Sequence, residues 1–121
     1  MAASTWEKLT EGLDDDDLRK LTAFRDYCRS LGPDVDERVH TSEIAFAVKR
    51  VFASAYIKSH YLEVGIDLPR VVSTPKPRAT VASTKTRTLH RYSLRELAGF
   101  DAAIKKLIRE AYDEASAHSG G

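Results

Sequence analysis

Leu18, Leu21, Phe24, Cys28 and Leu31 recur three or four residues apart, with Arg19, Lys20, Arg25, Asp26 and Arg29 between them. That spacing predicts an amphipathic helix, its apolar stripe turned inward and those charges on the opposite side. Asp14 to Asp17 precede the stripe, where carboxylates complement the exposed amides and positive dipole of a helix N-terminus. Gly32 and Pro33 end it, the glycine as a left-handed terminal residue and the proline as a breaker. Upstream, Ser4 and Glu7 have the spacing of a capping box, and Trp6, Leu9 and Leu13 predict a short helix that Gly12 weakens. From Val39 to Leu68 the pattern shifts to short runs of Val, Ile, Phe and Tyr, the composition of strands. Ile44, Phe46 and Val48 alternate with Ala45, Ala47 and Lys49, and Val51 to Ile57 is apolar on both faces, as a central strand is. Leu62, Val64, Ile66 and Leu68 alternate with Tyr61, Glu63, Gly65 and Asp67, which predicts a strand with one wet face.

The second half follows the same logic. Residues 69–85 contain three prolines and several Ser and Thr, so they predict an exposed, flexible loop with one edge strand at Ala79 to Ala82. A last strand covers Thr86 to Tyr92, and Ser93 to Glu96 can cap a short helix before Gly99. Phe100, Ile104, Leu107, Ile108, Ala111 and Ala115 give a closing helix its apolar stripe, and residues 116–121 read as a frayed tail. The sum is one α+β domain over residues 1–121: two layers, an antiparallel sheet of about five strands packed against N- and C-terminal helices.

Composition narrows the class. A chain of 121 residues has room for one core and no second domain, and 42% hydrophobic residues with a net charge of +1 exclude a wholly disordered chain. Cys28 stands alone, which excludes an intramolecular disulfide and a multi-cysteine metal site and suits a reducing compartment. No apolar run is long enough to span a bilayer and the start lacks the basic-then-apolar order of a secretory signal, so a cytoplasmic protein with no membrane partner is expected.

Near-zero net charge conceals an uneven distribution. Residues 1–48 carry 6 Lys/Arg against 11 Asp/Glu, a net −5, and residues 96–121 carry 3 against 5. Between them, residues 49–95 carry ten Lys/Arg against only Glu63 and Asp67, a net +8. Clustered cations repel unless folding or a ligand compensates, so the middle third either meets an anionic partner or folds against the acidic helices and balances internally.

Leu31-Gly32-Pro33-Asp34-Val35, Ile44-Ala45-Phe46, Phe52-Ala53, the strand around His90 and Leu107-Ile108-Arg109-Glu110-Ala111-Tyr112 together resemble the domain-of-unknown-function family numbered 5655. Its members are small bacterial proteins with an N-terminal helix, a sheet and a closing helix, and the resemblance spans roughly Phe24 to Ala115. More distantly the chain is similar to the small iron-chaperone-like α+β domains. The resemblance implies the fold and no established activity; it singles out His90 and Arg109, while the lysine- and threonine-rich segment Thr74 to Thr88 departs from the family pattern.

The four histidines, His40, His60, His90 and His118, are scattered, and none has the spacing of a compact zinc motif. His40 with Glu43 and His60 with Glu63 would point to opposite faces of a strand. The Asp14 to Asp17 run could recruit a hard cation weakly, although helix capping explains the same residues. There is no G-x-S-x-G, no glycine-rich phosphate loop and no placeable carboxylate pair, and Cys28 lies on an apolar stripe as a buried thiol would. No catalytic residue, metal ligand or cofactor is assigned. The expectation is a non-catalytic binding module that engages nucleic acid or another phosphate-bearing ligand through a basic sheet face and loop. Lys76, Arg78, Lys85, Arg87 and Arg91 would meet phosphates, with Tyr61, Tyr92 and His90 as rings beside them. For His90 the plainer reading is a strand histidine bonded to a buried backbone group. The alternative function is protein interaction or homodimerisation through the sheet edge, and a small-molecule or metal-binding protein stands third.

Overall fold

The computed structural model describes residues 3–117. Its elements run α1 (Trp6–Leu9), α2 (Asp15–Arg29), β1 (Asp36–Val39), β2 (Ile44–Val48), β3 (Arg50–Lys58), β4 (Tyr61–Leu68), β5 (Ala79–Ala82), β6 (Thr88–Leu94), a 3-10 turn at Leu97–Gly99 and α3 (Ala102–Ala117). The strands form a single antiparallel sheet in the order β1-β2-β3-β4-β6-β5. There are six strands, one more than the pattern predicts. The addition is β1, whose sequence Asp-Glu-Arg-Val has no apolar alternation to reveal it. Its inward residue Glu37 is instead held by Arg25 and Arg29 of α2, at 3.0 and 2.8 Å.

Register and alternation sort the sheet into two faces. Leu62, Val64, Ile66 and Leu68 of β4 share one face with Ala53, Ala55 and Ile57 of β3 and with His90, Tyr92 and Leu94 of β6. Both long helices pack there: α2 contributes Leu21, Phe24 and Cys28, α3 contributes Ile104, Leu107, Ile108 and Ala111, and all seven are buried. Phe24 meets Phe46 edge-on at 5.8 Å and Phe100 at 6.2 Å. Burial of each such large side chain contributes about 1.5–3 kcal/mol. A bulge opposite Phe46 and Ala47 brings Phe52 against Tyr112 of α3, 5.7 Å between ring centres.

The helix ends differ in detail from the sequence pattern. Asp14 caps α2, accepting from the Asp17 amide at 2.8 Å, but α1 is capped by Thr5 and not by Ser4. Helix α2 stops at Arg29 with Ser30 as its right-handed cap, so Gly32 does not serve as a left-handed terminator. Its missing side chain matters for packing: a Cβ there would lie 2.2 Å from the Tyr112 hydroxyl oxygen. Helix α3 continues through Ala117, so Ser116 and Ala117 are helical, whereas residues 118–121, with His118 and most of the expected tail, lie outside the described residues. Residues 69–78 are anchored at several points: Arg70 forks onto Glu110, the Val72 amide donates to His90, and the Tyr92 hydroxyl donates to the Pro75 carbonyl. Val72 is itself buried, so this segment is tied to the core despite its loop-like composition.

Lys20, expected on the outer side of its helix, is 0% exposed. Its ammonium donates to the carbonyls of His60 and Arg95, the latter at 2.8 Å, and lies 3.0 Å from the Asp17 carboxylate. The i to i+4 step from Lys20 to Phe24 puts it on the buried stripe, and Asp17, one turn earlier, supplies the countercharge. One ammonium thereby joins α2, the β3–β4 turn and the end of β6. Lys20→Met leaves the Asp17 carboxylate and two carbonyls without that donor, so stability falls by about 3–5 kcal/mol. Urea unfolding checks this; a midpoint equal to wild type contradicts it.

Candidate functional site: the uncovered sheet face

Among the described residues, neither long helix packs on the second face of the sheet. Across it, Tyr56 of β3, Glu63 of β4 and Ser93 of β6 stand in one cross-strand row, with Lys58 and Tyr61 beside them and Ser54, Gly65 and Arg91 in the row on the other side. Glu63 and Gly65 are buried although no helix covers them, because β4 lies between β3 and β6 and neighbouring side chains lean over it. A Cβ on Gly65 would meet Ser54 at 3.0 Å and Leu89 at 3.2 Å. The wet face expected for β4 is therefore largely closed at Glu63 and Gly65, and beside them lies an open hollow of about 550 Å³. Tyr56, Lys58, Ser59, Tyr61, Glu63, Arg78 and Ser93 line it.

Glu63 is the floor. Its Oε1 accepts from the Ser93 hydroxyl at 2.7 Å and lies 3.5 Å from the Arg78 guanidinium, whose side chain is 67% exposed. Oε2 has no hydrogen-bond partner among the described residues and is not sealed from solvent. On the rim, the Arg95 guanidinium lies over the Tyr61 ring, 5.7 Å from its centre, and Tyr61 is 39% exposed. Lys58, Arg91 and Arg95 make no ion pair among the described residues.

The expected ligand residues separate sharply. Tyr61 and Arg78 reach the hollow, and Arg91 is one row away. Lys76 lines a neighbouring depression with Val72, Pro77 and Thr80. Lys85 is exposed in the β5–β6 turn, at the opposite end of β6 from Ser93. Three others belong to the interior. His90 and Tyr92 follow the strand alternation onto the core face, where His90 is fully buried between the Val72 amide (3.0 Å) and the Ile66 carbonyl (3.2 Å). Arg87 is 7% exposed and held by Asp67 at 3.2 Å and Glu114 at 2.8 Å. These three are packing and pairing residues, not surface contacts. Arg109 is exposed on α3 and pairs loosely with Asp113 at 3.5 Å. Sequence reasoning missed Tyr56, Lys58, Glu63 and Ser93, although Tyr56 and Lys58 alternate with Ala55 and Ile57 along β3.

Among the described residues, one group of metal-ligand type comes together: Asp14, Asp17 and His60, their donor atoms within 4.8 Å of one another. Each already has a structural task. Asp14 caps α2, and Asp17 bonds the His60 ring at 2.8 Å while facing the Lys20 ammonium. Burial pushes the Cys28 thiol far above its ordinary range, so it offers no reactive thiolate.

The fold and the hollow define a small two-layer α+β domain with one helix-covered sheet face and one polar face. The chain belongs to the family described as Domain of unknown function (DUF5655), which it matches over residues 9–115. No match ties it to the iron-chaperone-like domains, and no curated protein or solved structure matches it. Among the described residues no helix is long and apolar enough to cross a membrane.

Two measurements check the interior assignments. Arg87→Ala removes the buried ion pairs to Asp67 and Glu114 and lowers stability by about 2–3 kcal/mol, whereas Lys85→Ala changes it by less than about 0.5 kcal/mol. Equal effects in thermal unfolding would contradict the buried role. Burial pushes the Asp17 carboxyl up, but hydrogen bonds from Lys20 and His60 outweigh it and hold the group below its ordinary range. The folded-state value thus lies below the unfolded value of about 3.9. Asp17 therefore contributes stability that is present above about pH 3.9 and lost as pH falls through the folded value. Below that pH, wild type loses stability more steeply than Asp17→Asn; parallel profiles contradict the assignment.

Proposed function

We propose that the protein is a non-catalytic binding module that takes single-stranded nucleic acid on its uncovered sheet face. The observation that carries this reading is the convergence of Tyr56 and Tyr61 with Lys58 and Arg78 on one open hollow, next to Arg91 and Arg95. Rings on which bases stack, edged by cations that meet phosphates, are what a single strand requires. The basic middle third divides accordingly. Arg70 and Arg87 are neutralised by Glu110, Asp67 and Glu114, while Lys58, Arg91 and Arg95 keep their charge for a ligand. Arg78 holds Glu63 only at 3.5 Å from an exposed position and can exchange that contact for a phosphate. No basic helix is offered for a major groove, because α2 and α3 both mix charge signs.

A second reading, docking of another chain along β5, is favoured by one observation: all four residues of this edge strand are exposed, Val81 by 51%. Salt dependence separates the two, since phosphate contacts release counterions and strand pairing does not.

The test is anisotropy of a labelled single-stranded 12-mer at several salt concentrations, with heparin as a polyanion control. Binding weakens with salt, and Lys58→Ala with Arg78→Ala together reduces affinity at least about tenfold and the salt slope by about 1.4. Unchanged affinity in that double variant, or no binding at low salt, overturns the assignment.

A further inference from the structure

We infer that Glu63 makes the hollow selective for bases that carry an exocyclic amino group, such as cytosine and adenine, over uracil and thymine, which carry none. The inference rests on the single-strand reading above and names what that site would choose. A carboxylate is an unexpected floor for a face that attracts phosphate. Of the two acidic residues in the basic middle third, Asp67 is spent on Arg87, which leaves Glu63 as the one facing the hollow.

Its geometry gives it a directional task. The Ser93 hydroxyl donates to Oε1 at 2.7 Å and orients the carboxylate whether or not Arg78 leaves it for a phosphate, while Oε2 accepts no hydrogen bond among the described residues. Glu63 is only 8% exposed, so its carboxylate stays in the floor of the hollow, and a ligand donor there takes the place of water on Oε2. Tyr56 stands in the same cross-strand row and Tyr61 lies two residues before Glu63 on the same strand, and both rings line the hollow with it, so a base stacked on either ring lies beside the carboxylate. An amino group on that edge, such as cytosine N4 or adenine N6, donates to the carboxylate. Uracil presents carbonyl oxygens on both sides of its single N–H, and a carboxylate repels them. The phosphates meanwhile fall to Lys58, Arg78, Arg91 and Arg95 on the rim, away from the anionic floor.

The experiment compares dC12 with dU12, and dA12 with dT12, on the full chain at neutral pH and low salt. Wild type binds dC12 about tenfold tighter than dU12, and dA12 tighter than dT12. In Glu63→Gln the amide oxygen can keep the Ser93 bond while its NH2 replaces the acceptor with a donor, so the preference shrinks or reverses towards dU12. Equal wild-type affinity for dC12 and dU12 overturns the inference while leaving the binding face intact. Failure of every oligonucleotide to bind instead overturns the reading beneath it. A folded Glu63→Gln that keeps the wild-type preference removes Glu63 as its source. Should that variant not fold, the wild-type pair still decides.

Discussion

The ammonium of Lys20 has no water around it, and three parts of the chain depend on where it sits. A buried charge without partners costs several kcal/mol, so it must find acceptors, and here they are the His60 and Arg95 carbonyls and the Asp17 carboxylate. The His60 contact is the most consequential. Ser59 and His60 form the two-residue turn between β3 and β4 with φ of 52° and 68°, a conformation that costs a non-glycine residue about 1–2 kcal/mol. Ammonium on the carbonyl of that turn and Asp17 on its imidazole hold it in place. The turn fixes the register of β3 on β4, and that register places Tyr56 opposite Glu63 and Lys58 opposite Tyr61. A residue buried under one face of the sheet thus organises the hollow on the other.

Charge is divided between the faces in the same way. The acidic surplus of the C-terminal end and the basic surplus of the middle meet as Arg70 with Glu110 and Arg87 with Glu114, which pairs two of the ten cations of the middle third. Among the described residues, Lys58 of β3 and Arg91 of β6 make no ion pair, and Arg78 reaches Glu63 only at 3.5 Å. Lys58 and Arg78 thereby line a hollow whose floor is a single carboxylate, a placement that arises from the strand register more than from composition.

Periodicity made the local elements legible. The stripe from Leu18 to Cys28 and the alternation from Leu62 to Leu68 each report contacts a residue makes on its own element's buried side, which sequence spacing records directly. Non-local chemistry was not legible. Lys20 reads as surface until a carbonyl 40 residues away is brought to it, and β1 reads as loop until Glu37 meets Arg25. Arg87 and His90 carry the residue types of a binding site, but only the strand register shows their partners to be Glu114 and the Val72 amide. Gly32 was read as a helix terminator from its neighbours, when its role is to admit a tyrosine hydroxyl from α3. The candidate site was half visible, through Tyr61 and Arg78, because the other residues gain meaning from a row that crosses three strands.

The central claim is that this row and its rim form the ligand surface. The most direct test is an NMR titration of the isotope-labelled chain with a short cytosine-rich single strand, read as chemical-shift changes residue by residue. The account predicts changes concentrated at Tyr56, Lys58, Tyr61, Glu63, Arg78 and Ser93, with Arg87 and His90 unmoved. Changes confined to β5, or none at all at saturating ligand, would contradict it.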